Sequence, residues 1–377
     1  FISSLVDAGK LDRELEFLPS DEELADRKVH GQSLTRPELS VLVSYSKAIL
    51  KEELIDSDLG VDPHLATAVQ TAFPAQLVTE YAEELSEHRL HREIMCTQIA
   101  NDIINRMGLN FVSRQRKATG APIADVARAY TSVVEVFAIA DTWEQIEALD
   151  HSVEAHVQLD MMLNLIRLVK RAVRWLLRNR RHELSPTGTI AEFAAGVEQL
   201  REALPNMLRG DAAERYSSLV ERYQEAGVAP ALAAAVAGTI QAYTALGIIQ
   251  AAEETHAPLL EVAELYFFMG ERLELDWFSA QILASNVENE WQAMARDTYL
   301  EDLEWQQRTL AVGVLRSLCE DRNLVKCVQQ WEINEEALLQ RWRDMLSELH
   351  AAVAPDFAMF AVANRELLDL AQSSRRE

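Results

Sequence analysis

The stretch that decides the fold is GQSLTRPELSVLVSY, residues 31–45, because it contains a complete helix start. Thr35 can cap the backbone amide of Glu38, and the Glu38 side chain can reach back to the amide of Thr35, so the pair forms a capping box. Pro37 falls in the first turn, where its missing N–H leaves no hydrogen bond unmade. These signals predict a long helix that begins next to Thr35.

Helical spacing continues through most of the chain. In the first long helix, apolar residues recur at intervals of three and four, which places one face together: Leu39, Leu42, Val43, Ile49 and Leu50. The best candidate for a strand, residues 39–46, follows the capping box and continues into the same helical pattern, so we assign it to helix. The sequence therefore predicts an all-α fold without the sheet of a dinucleotide-binding domain.

Length and composition predict two lobes. The chain has 377 residues, of which 49% are hydrophobic, and single cores stop growing at about 250–300 residues. The best lobe boundary is the turn-forming group from Ser185 to Gly188, which is followed by a second capping box from Thr189 to Glu192. We expect one lobe over residues 31–185 and the other over residues 186–377.

The charge of the chain excludes some partners. Sixty acidic residues against 36 basic ones give a net charge of −24, which repels both nucleic-acid phosphates and anionic lipid surfaces. The segment from Ala226 to Ala252 contains no charged residue, but it is largely alanine, which inserts into membranes poorly. We interpret it as a buried helix pair and expect neither a nucleic-acid nor a membrane partner.

The cysteines indicate a reducing compartment. Cys96, Cys319 and Cys327 are odd in number and include no CxxC pair, so a framework of disulfides is not expected. We predict free thiols and a cytoplasmic location.

Two segments of the chain resemble each other. GAPIADVARAY, residues 120–130, matches HAPLLEVAELY, residues 256–266, in Ala-Pro, Val-Ala and Tyr at one constant offset of 136 residues. Each begins as a helix opened by proline, with Val and Tyr four residues apart on one face. Each is soon followed by a tryptophan, Trp143 or Trp277. The match indicates related helical units. The alternative is chance similarity between two helices that both begin with proline.

Catalytic and cofactor motifs do not stand out. None of the 13 glycines forms a GxG pair, so neither the dinucleotide fingerprint nor a P-loop can be written. His88 and His91 have a spacing that could place two metal ligands on one helical face beside Glu87 and Glu93, but no matching ligand cluster occurs elsewhere, and a solvated charged face explains them better. We expect no catalytic, cofactor-binding or metal-binding residue in this chain.

One basic stretch interrupts the acidic composition. In RLVKRAVRWLLRNRR, residues 167–181, helical geometry gathers the cations on one side and the apolar residues Val169, Val173, Leu176 and Leu177 on the other. We define the cations as the basic stripe: Arg167, Lys170, Arg171, Arg174, Arg178 and Arg181. It is either a solvated face paired with nearby carboxylates or a docking surface for an acidic patch.

Several blocks together carry a family resemblance. They are GQSLTRPELSVLVSYSK (31–47), HRLHREIMCTQIANDIINRMGLNFVSR (88–114), ADVARAY (124–130) and LYFFMGERLELDWF (265–278). In this order they resemble the C-terminal region of the large bacterial NAD-specific glutamate dehydrogenases. The similarity extends from the start of the chain to the segment around Trp305.

The resemblance implies a division of labour within a much longer subunit. Its Rossmann-fold catalytic domain would precede this chain, and residues 1–30 would form a helical connection from it. NAD would then be the cofactor of the parent enzyme, with none bound here. The expected partners are the upstream catalytic domain and further copies in a homo-oligomer. The helical region would serve as scaffold, subunit contact or regulator. Two alternatives are a free-standing helical interaction module and an independent helical enzyme.

Overall fold

A computed structural model describes residues 2–60, 62–181, 184–316 and 324–374 of the chain. Over these ranges the regular structure is helical and includes no strand, which confirms the predicted all-α class. The described residues cluster into two compact units. Unit 1 comprises Phe1–Val136 and Val169–Ala191, and unit 2 comprises Phe137–Leu168 and Glu192–Glu377. The boundaries drawn from the sequence, 1–30, 31–185 and 186–377, stay a prediction.

The α-helices are as follows, in chain order: α1 (Ile2–Asp7), α2 (Asp21–Val29), α3 (Arg36–Ile55), α4 (Pro63–Ala66), α5 (Ala75–Glu80), α6 (Ala82–Ser86), α7 (His91–Met107), α8 (Phe111–Thr119), α9 (Ile123–Val136), α10 (Ile139–Glu147), α11 (Ala155–Asn179), α12 (Pro186–Met207), α13 (Gly210–Glu225), α14 (Pro230–Ala242), α15 (Ala245–Thr255), α16 (Leu259–Arg272), α17 (Leu275–Ala284), α18 (Glu290–Arg316), α19 (Leu324–Asn334), α20 (Glu336–Ala351) and α21 (Phe357–Ser374). A 3-10 helix covers Thr67–Ala72.

The predicted start of α3 is confirmed. The Thr35 amide donates to Glu38 Oε2 at 2.6 Å, and the Glu38 amide donates to the Thr35 hydroxyl at 3.5 Å. Leu42 and Leu50 on the predicted face are buried, but Leu39 is 40% exposed. Leu39 lies in the first turn of α3. Val41, two residues further along, packs against the small hydrophobic core near the N-terminus instead.

The other end of α3 is capped by an arginine from α7. The Arg92 guanidinium donates to the carbonyls of Ile55 at 2.9 Å, Ser57 at 2.7 Å and Leu54 at 3.3 Å. The last carbonyls of a helix lack an intrahelical donor, and a cation is favoured there by the helix dipole; the Leu54 carbonyl also accepts from the Ser57 hydroxyl at 2.7 Å. Arg92 therefore fixes where α3 stops relative to α7, which packs along it.

The Asp62 carboxylate caps two helices of unit 1. It accepts from the amide of His64 in α4 at 2.9 Å and from the amide and hydroxyl of Thr187 in α12 at 3.3 and 2.8 Å. The Ser185 hydroxyl also donates to it. Burial raises the pKa of Asp62, but the hydrogen bonds from Thr187, His64 and Ser185 outweigh burial and leave that pKa below its ordinary value.

The start of α12 differs from the sequence prediction. The helix begins at Pro186 rather than after Thr189, so residues 186–188 are its first turn and not a loop. Ser185 is the effective cap, because its hydroxyl accepts from the Gly188 amide at 3.3 Å, and proline suits the position that follows a cap.

Aromatic side chains form part of the core of unit 2. The Phe278 ring meets Trp342 and Phe360 edge to face, with centroids 5.5 and 6.0 Å apart. Trp342 is fully buried, and its Nε1–H donates to the Leu273 carbonyl at 3.0 Å. This bond satisfies the polar end of the indole inside an apolar site.

Helix α21 packs along α18 in unit 2. The Gln306 side chain of α18 donates to the Asn364 carbonyl of α21 at 3.0 Å. Gly313 permits the close approach, because a Cβ at this position would lie 2.6 Å from the Ser374 carbonyl oxygen. Any larger residue at Gly313 would push the two helices apart.

The uncharged segment 226–252 forms the helix pair α14 and α15, as predicted, with Val236 and Ile248 buried. Among the described residues, no single helix is both long and apolar enough to cross a membrane. Within these ranges, the pair α14 and α15 together reaches the required length and composition, but the two helices are bent by 61°.

The prediction of free thiols is half right. Cys96 is a buried free thiol whose pKa is raised by burial. Cys327, in α19, is disulfide-bonded, so the prediction is wrong for that residue. The spacing of the cysteines could not reveal a bond that depends on how the chain folds. Cys319 lies outside the described residues.

The internal similarity extends well beyond the quoted segments. At the same offset of 136 residues, Ile123–Val136 (α9) corresponds to Leu259–Arg272 (α16) in both bounds. Helices α10 and α17 begin at corresponding residues, and each is preceded by a left-handed residue, Ala138 or Glu274. Another corresponding pair of left-handed residues, Gly120 and His256, ends α8 and α15. Matching backbone strain at matching positions favours related units over chance.

The side chains of the two segments correspond in part. Val126, Tyr130, Val262 and Tyr266 are all buried. Their tryptophans differ, however, since Trp143 is 4% exposed whereas Trp277 stacks on His350 with ring centroids 3.7 Å apart. The tryptophans also stand at different offsets, so they do not belong to the repeated pattern.

Candidate functional site

The basic stripe lies on α11, the amphipathic helix that the sequence predicts, except for Arg181, which follows the end of that helix. Val169, Val173, Leu176 and Leu177 are at most 2% exposed, which confirms the predicted apolar face. On the stripe, Arg167, Arg178 and Arg181 are exposed, while Lys170, Arg171 and Arg174 are half-buried. The helix thus separates charge from core along its length.

Helix α8 positions part of the stripe through one buried glutamine. Gln115 is 1% exposed, and its side chain donates to the Lys170 carbonyl at 3.1 Å while accepting from Arg174 Nε at 3.3 Å. Because both ends of the amide are used, Gln115 holds the Arg174 guanidinium in one direction. The sequence analysis missed this residue, since a glutamine in a polar helix carries no signal for a contact so distant in the chain.

Arg181 is fixed at the end of α8. Its guanidinium donates to the Thr119 carbonyl at 3.2 Å, which is one of the carbonyls left without a donor at a helix C-terminus. The next residue, Gly120, ends the helix in the left-handed conformation with φ 72°. Arg174 and Arg181 therefore contribute to the packing of unit 1 in addition to their charge.

The other end of the stripe has a bond within its own helix. Arg167 Nη1 donates to Asn164 Oδ1 at 2.9 Å, and Asn164 in turn donates to the Tyr223 hydroxyl at 2.8 Å. The Tyr223 hydroxyl donates to Asp160. The pKa of Tyr223 is raised to about 12, mainly by burial and secondly by the hydrogen bond with Asp160.

A cavity of about 380 Å³ lies in unit 2 and has an acidic lining. The carboxylates of Asp211, Glu271, Glu274 and Asp276 face it, with Arg209 beside them. Burial raises the pKa of Asp276, and the Arg215 guanidinium at 3.3 Å opposes that shift. An acidic lining disfavours the pyrophosphate of a dinucleotide.

An aromatic pair forms another wall of this cavity. The rings of Trp277 and His350 are stacked at an interplanar angle of 23°. His350 Nε2 lies 2.9 Å from Glu274 Oε2, which fixes the orientation of the imidazole. The pair is a structural element that joins α17 to α20.

The histidines weighed as metal ligands are separated by a turn. His88 precedes α7, and its Nδ1 accepts from the Leu90 amide, whereas His91 opens α7 and its Nδ1 lies 3.1 Å from the Leu85 carbonyl. In the described ranges, no group of three or more His, Cys, Asp and Glu side chains has an arrangement that could hold a metal ion.

Comparison with known proteins gives the family. The model of the family "Glutamate dehydrogenase, C-terminal" matches residues 31–369. The chain is 48% identical to the NAD-specific glutamate dehydrogenase of Pseudomonas aeruginosa. The 367 aligned residues cover 97% of this chain and 23% of that relative. It is 46% identical to that of Halomonas elongata over 99% of this chain. It is 30% identical to that of Mycobacterium tuberculosis over 100% of this chain.

The alignments also show how much of the relatives is represented. The chain spans 23% of the length of each of them. The family model covers both the α3 capping box and the basic stripe. With most of its length matched, the chain belongs to the glutamate dehydrogenase C-terminal family.

Proposed function

We propose that this chain is the C-terminal helical part of an NAD-dependent glutamate dehydrogenase. The whole polypeptide would convert L-glutamate, NAD and water into 2-oxoglutarate, ammonia and NADH. The observation that carries the proposal is the 48% identity along 97% of the chain to a protein named NAD-specific glutamate dehydrogenase. The reaction balances when one proton is also released, since the substrate loses two electrons that NAD accepts as hydride and water supplies the carbonyl oxygen of 2-oxoglutarate.

Within that enzyme, this segment has a non-catalytic role as scaffold, subunit contact or regulator. Two observations support this role. The sequence has no glycine pair with which to bind a pyrophosphate. The cavity of unit 2 is lined by carboxylates, which suit neither a dinucleotide nor an acidic substrate. The chemistry would then lie in the part of the polypeptide that precedes the matched region.

The basic stripe is the surface through which this role is exerted, with the upstream catalytic domain or another subunit as its partner. Arg178 and Arg181 are exposed, and Arg174 is held in a fixed direction by Gln115. A prearranged guanidinium loses less freedom on binding a carboxylate than a mobile one does.

The cytoplasmic location is part of the same proposal. It was predicted from few, unpaired cysteines, and the disulfide of Cys327 weighs against it. Fractionation of cells that produce the full polypeptide, with separate assays of cytoplasm and envelope, tests the location.

The function is tested on the full polypeptide that carries this chain. We expect NADH to form from NAD only when L-glutamate is present, with 2-oxoglutarate and ammonia as products in equal amounts. NADP and L-glutamine serve as controls for cofactor and substrate. A purified, folded polypeptide that forms no NADH from glutamate contradicts the proposal.

A further inference from the structure

The connection between α1 and α2 contains a short turn that is closed at both ends by its own hydrogen bonds. We define the Phe17 turn as residues 12–18. At its start, Asp12 Oδ1 accepts from two backbone amides of the turn, at 3.1 and 3.0 Å. At its end, the Leu18 amide donates to the Arg13 carbonyl at 3.0 Å, and the Phe17 amide donates to the carbonyl three residues before it at 3.2 Å. These last two bonds are those of a Schellman motif, so the turn has one fixed shape.

The Phe17 turn is held against α1. Leu18 is buried in one hydrophobic cluster with Leu5 of α1. The Asp21 carboxylate joins the same two elements, because it accepts from the Ser3 hydroxyl of α1 at 3.2 Å and from Arg13 of the turn at 2.7 Å. A polypeptide that enters α1 from an earlier domain therefore arrives beside this turn.

Two large apolar side chains of the turn are exposed. Leu15 is 69% exposed and Phe17 is 90% exposed. Phe17 also has φ 52°, the left-handed conformation for which glycine is the usual residue at this position of the motif. Single exposed apolar side chains need no partner, but here two of them share one rigid turn and one is also strained. If water were its only neighbour, glycine at position 17 would avoid both the strain and the exposed ring.

The place of the turn in the alignments indicates the partner. The turn lies before residue 31, where the match to the C-terminal family model begins. It nevertheless lies within the alignment with the Mycobacterium tuberculosis relative, which covers 100% of this chain and 23% of that protein. In a polypeptide of that length, the turn lies at the junction between the helical C-terminal region and the domain before it.

We propose that the Phe17 turn docks into an apolar pocket of the domain that precedes this chain in the same polypeptide. The proposal rests on the proposed function, in which a catalytic domain precedes the chain, and it specifies how the two are joined. Because α1 and the turn are held together, the preceding domain is tethered next to the turn, which favours a contact within one copy. The fixed shape of the turn also limits the freedom lost when Leu15 and Phe17 are buried.

The test introduces a photoreactive residue into the full polypeptide. Benzoylphenylalanine in place of Phe17 keeps an aromatic ring on the turn and, under ultraviolet light, bonds to carbon atoms that lie against it. We expect peptide mass spectrometry to find the cross-link in a peptide that precedes residue 1. Benzoylphenylalanine in place of Val353, at a fully exposed position in unit 2, is the control and should give at most about a tenth of the link to that peptide.

The mass of the cross-linked product under denaturing conditions distinguishes a contact within one copy from a contact between copies. We expect the mass of a single polypeptide, because the turn and its pocket belong to the same chain. A doubled mass overturns the proposal, since the occupant would then be a second copy. A link to a peptide within residues 31–369, or no link above the control, also overturns it.

Removal of the two side chains tests whether they hold the contact. Leu15→Ser with Phe17→Gly should preserve the turn, because glycine suits the left-handed position. In the full polypeptide, this double variant should speed amide hydrogen exchange in the peptide identified by the cross-link about tenfold. Val353→Ser is the matched control and should leave that exchange unchanged. Equal exchange in the double variant and the parent polypeptide overturns the proposal.

Glutamate-dependent NADH formation by the unsubstituted polypeptide tests the proposed function separately. If NADH forms but the cross-link lies elsewhere, the docking contact is wrong and the proposed function stands. If the cross-link lies in the preceding domain but glutamate yields no NADH, the docking contact stands and the proposed function is wrong.

Discussion

Ala138 and Glu274 lie 136 residues apart and adopt the same left-handed backbone conformation, with φ 47° and 54°. Each precedes the first residue of a helix, α10 or α17. This conformation costs a residue with a Cβ about 1–2 kcal/mol relative to right-handed backbone. Because both repeated segments retain the strain, the turn, rather than the side chain, is the repeated feature.

Relief of this strain gives the first prediction. Ala138→Gly should raise the free energy of unfolding by up to about 1 kcal/mol, because glycine adopts positive φ without a steric penalty but loses more entropy on folding. Urea denaturation of the 377-residue chain measures the change. Ala140→Gly, inside α10, is the matched control and should lower the same free energy by about 0.5–1 kcal/mol. Equal effects at the two positions would contradict the assignment of strain.

Asp62 gives a prediction with a pH dependence. Its folded pKa is depressed, so it contributes stability above its unfolded pKa, and that contribution is lost as the pH falls through the folded pKa. Asp62→Ala should cost about 1–2 kcal/mol at neutral pH, since caps of α4 and α12 are both removed. The difference from the parent chain should shrink under acid. Denaturation at several pH values measures it.

The control for Asp62 is Asp58→Ala. The Asp58 side chain is 85% exposed and lies 3.8 Å from Arg128, so its removal should change stability by less than about 0.5 kcal/mol. If Asp62→Ala destabilises the chain equally at neutral and acidic pH, the carboxylate charge is not what caps the helices.

The cap supplied by Arg92 is tested by shortening its reach. Arg92→Lys keeps the charge but replaces the planar guanidinium, which donates through Nε and Nη2 to the carbonyls of Leu54, Ile55 and Ser57, by a single nitrogen on a shorter side chain, so we expect a loss of about 1–3 kcal/mol. Arg89→Lys, at an exposed position just before α7, should be nearly neutral. Thermal unfolding followed by circular dichroism compares the two. A neutral Arg92→Lys would mean that charge alone ends α3.

The chain alone should fold and should bind no dinucleotide. Caps and periodicity agree along most of its length, so we expect a far-ultraviolet circular dichroism spectrum dominated by helix.

Calorimetric titration with NAD should give no site of micromolar affinity, since the sequence has no glycine-rich phosphate site. A stoichiometric NAD site would place cofactor binding in this segment after all.

The features that the sequence predicted are those encoded by near neighbours. The Thr35–Glu38 box and the apolar face of α11 depend on residues at most four apart. The start of α12 was missed although its cap, Ser185, is adjacent to it, whereas the second cap from Asp62, 125 residues before Thr187, could not be read from spacing. Gln115 was missed for the same reason, since it meets Arg174 only after folding. Spacing within a helix therefore identified the stripe but not the residues that hold it.

The surface segment that contains α5 and α6 has a consequence for local opening. With no side chain buried between residues 71 and 90, this part of unit 1 should unfold locally at little cost, exchange its amide hydrogens early and be cut early by proteases. Both processes would proceed without opening the buried core of unit 1. Hydrogen exchange at these amides therefore reports directly on how often this segment opens while the rest of unit 1 stays folded.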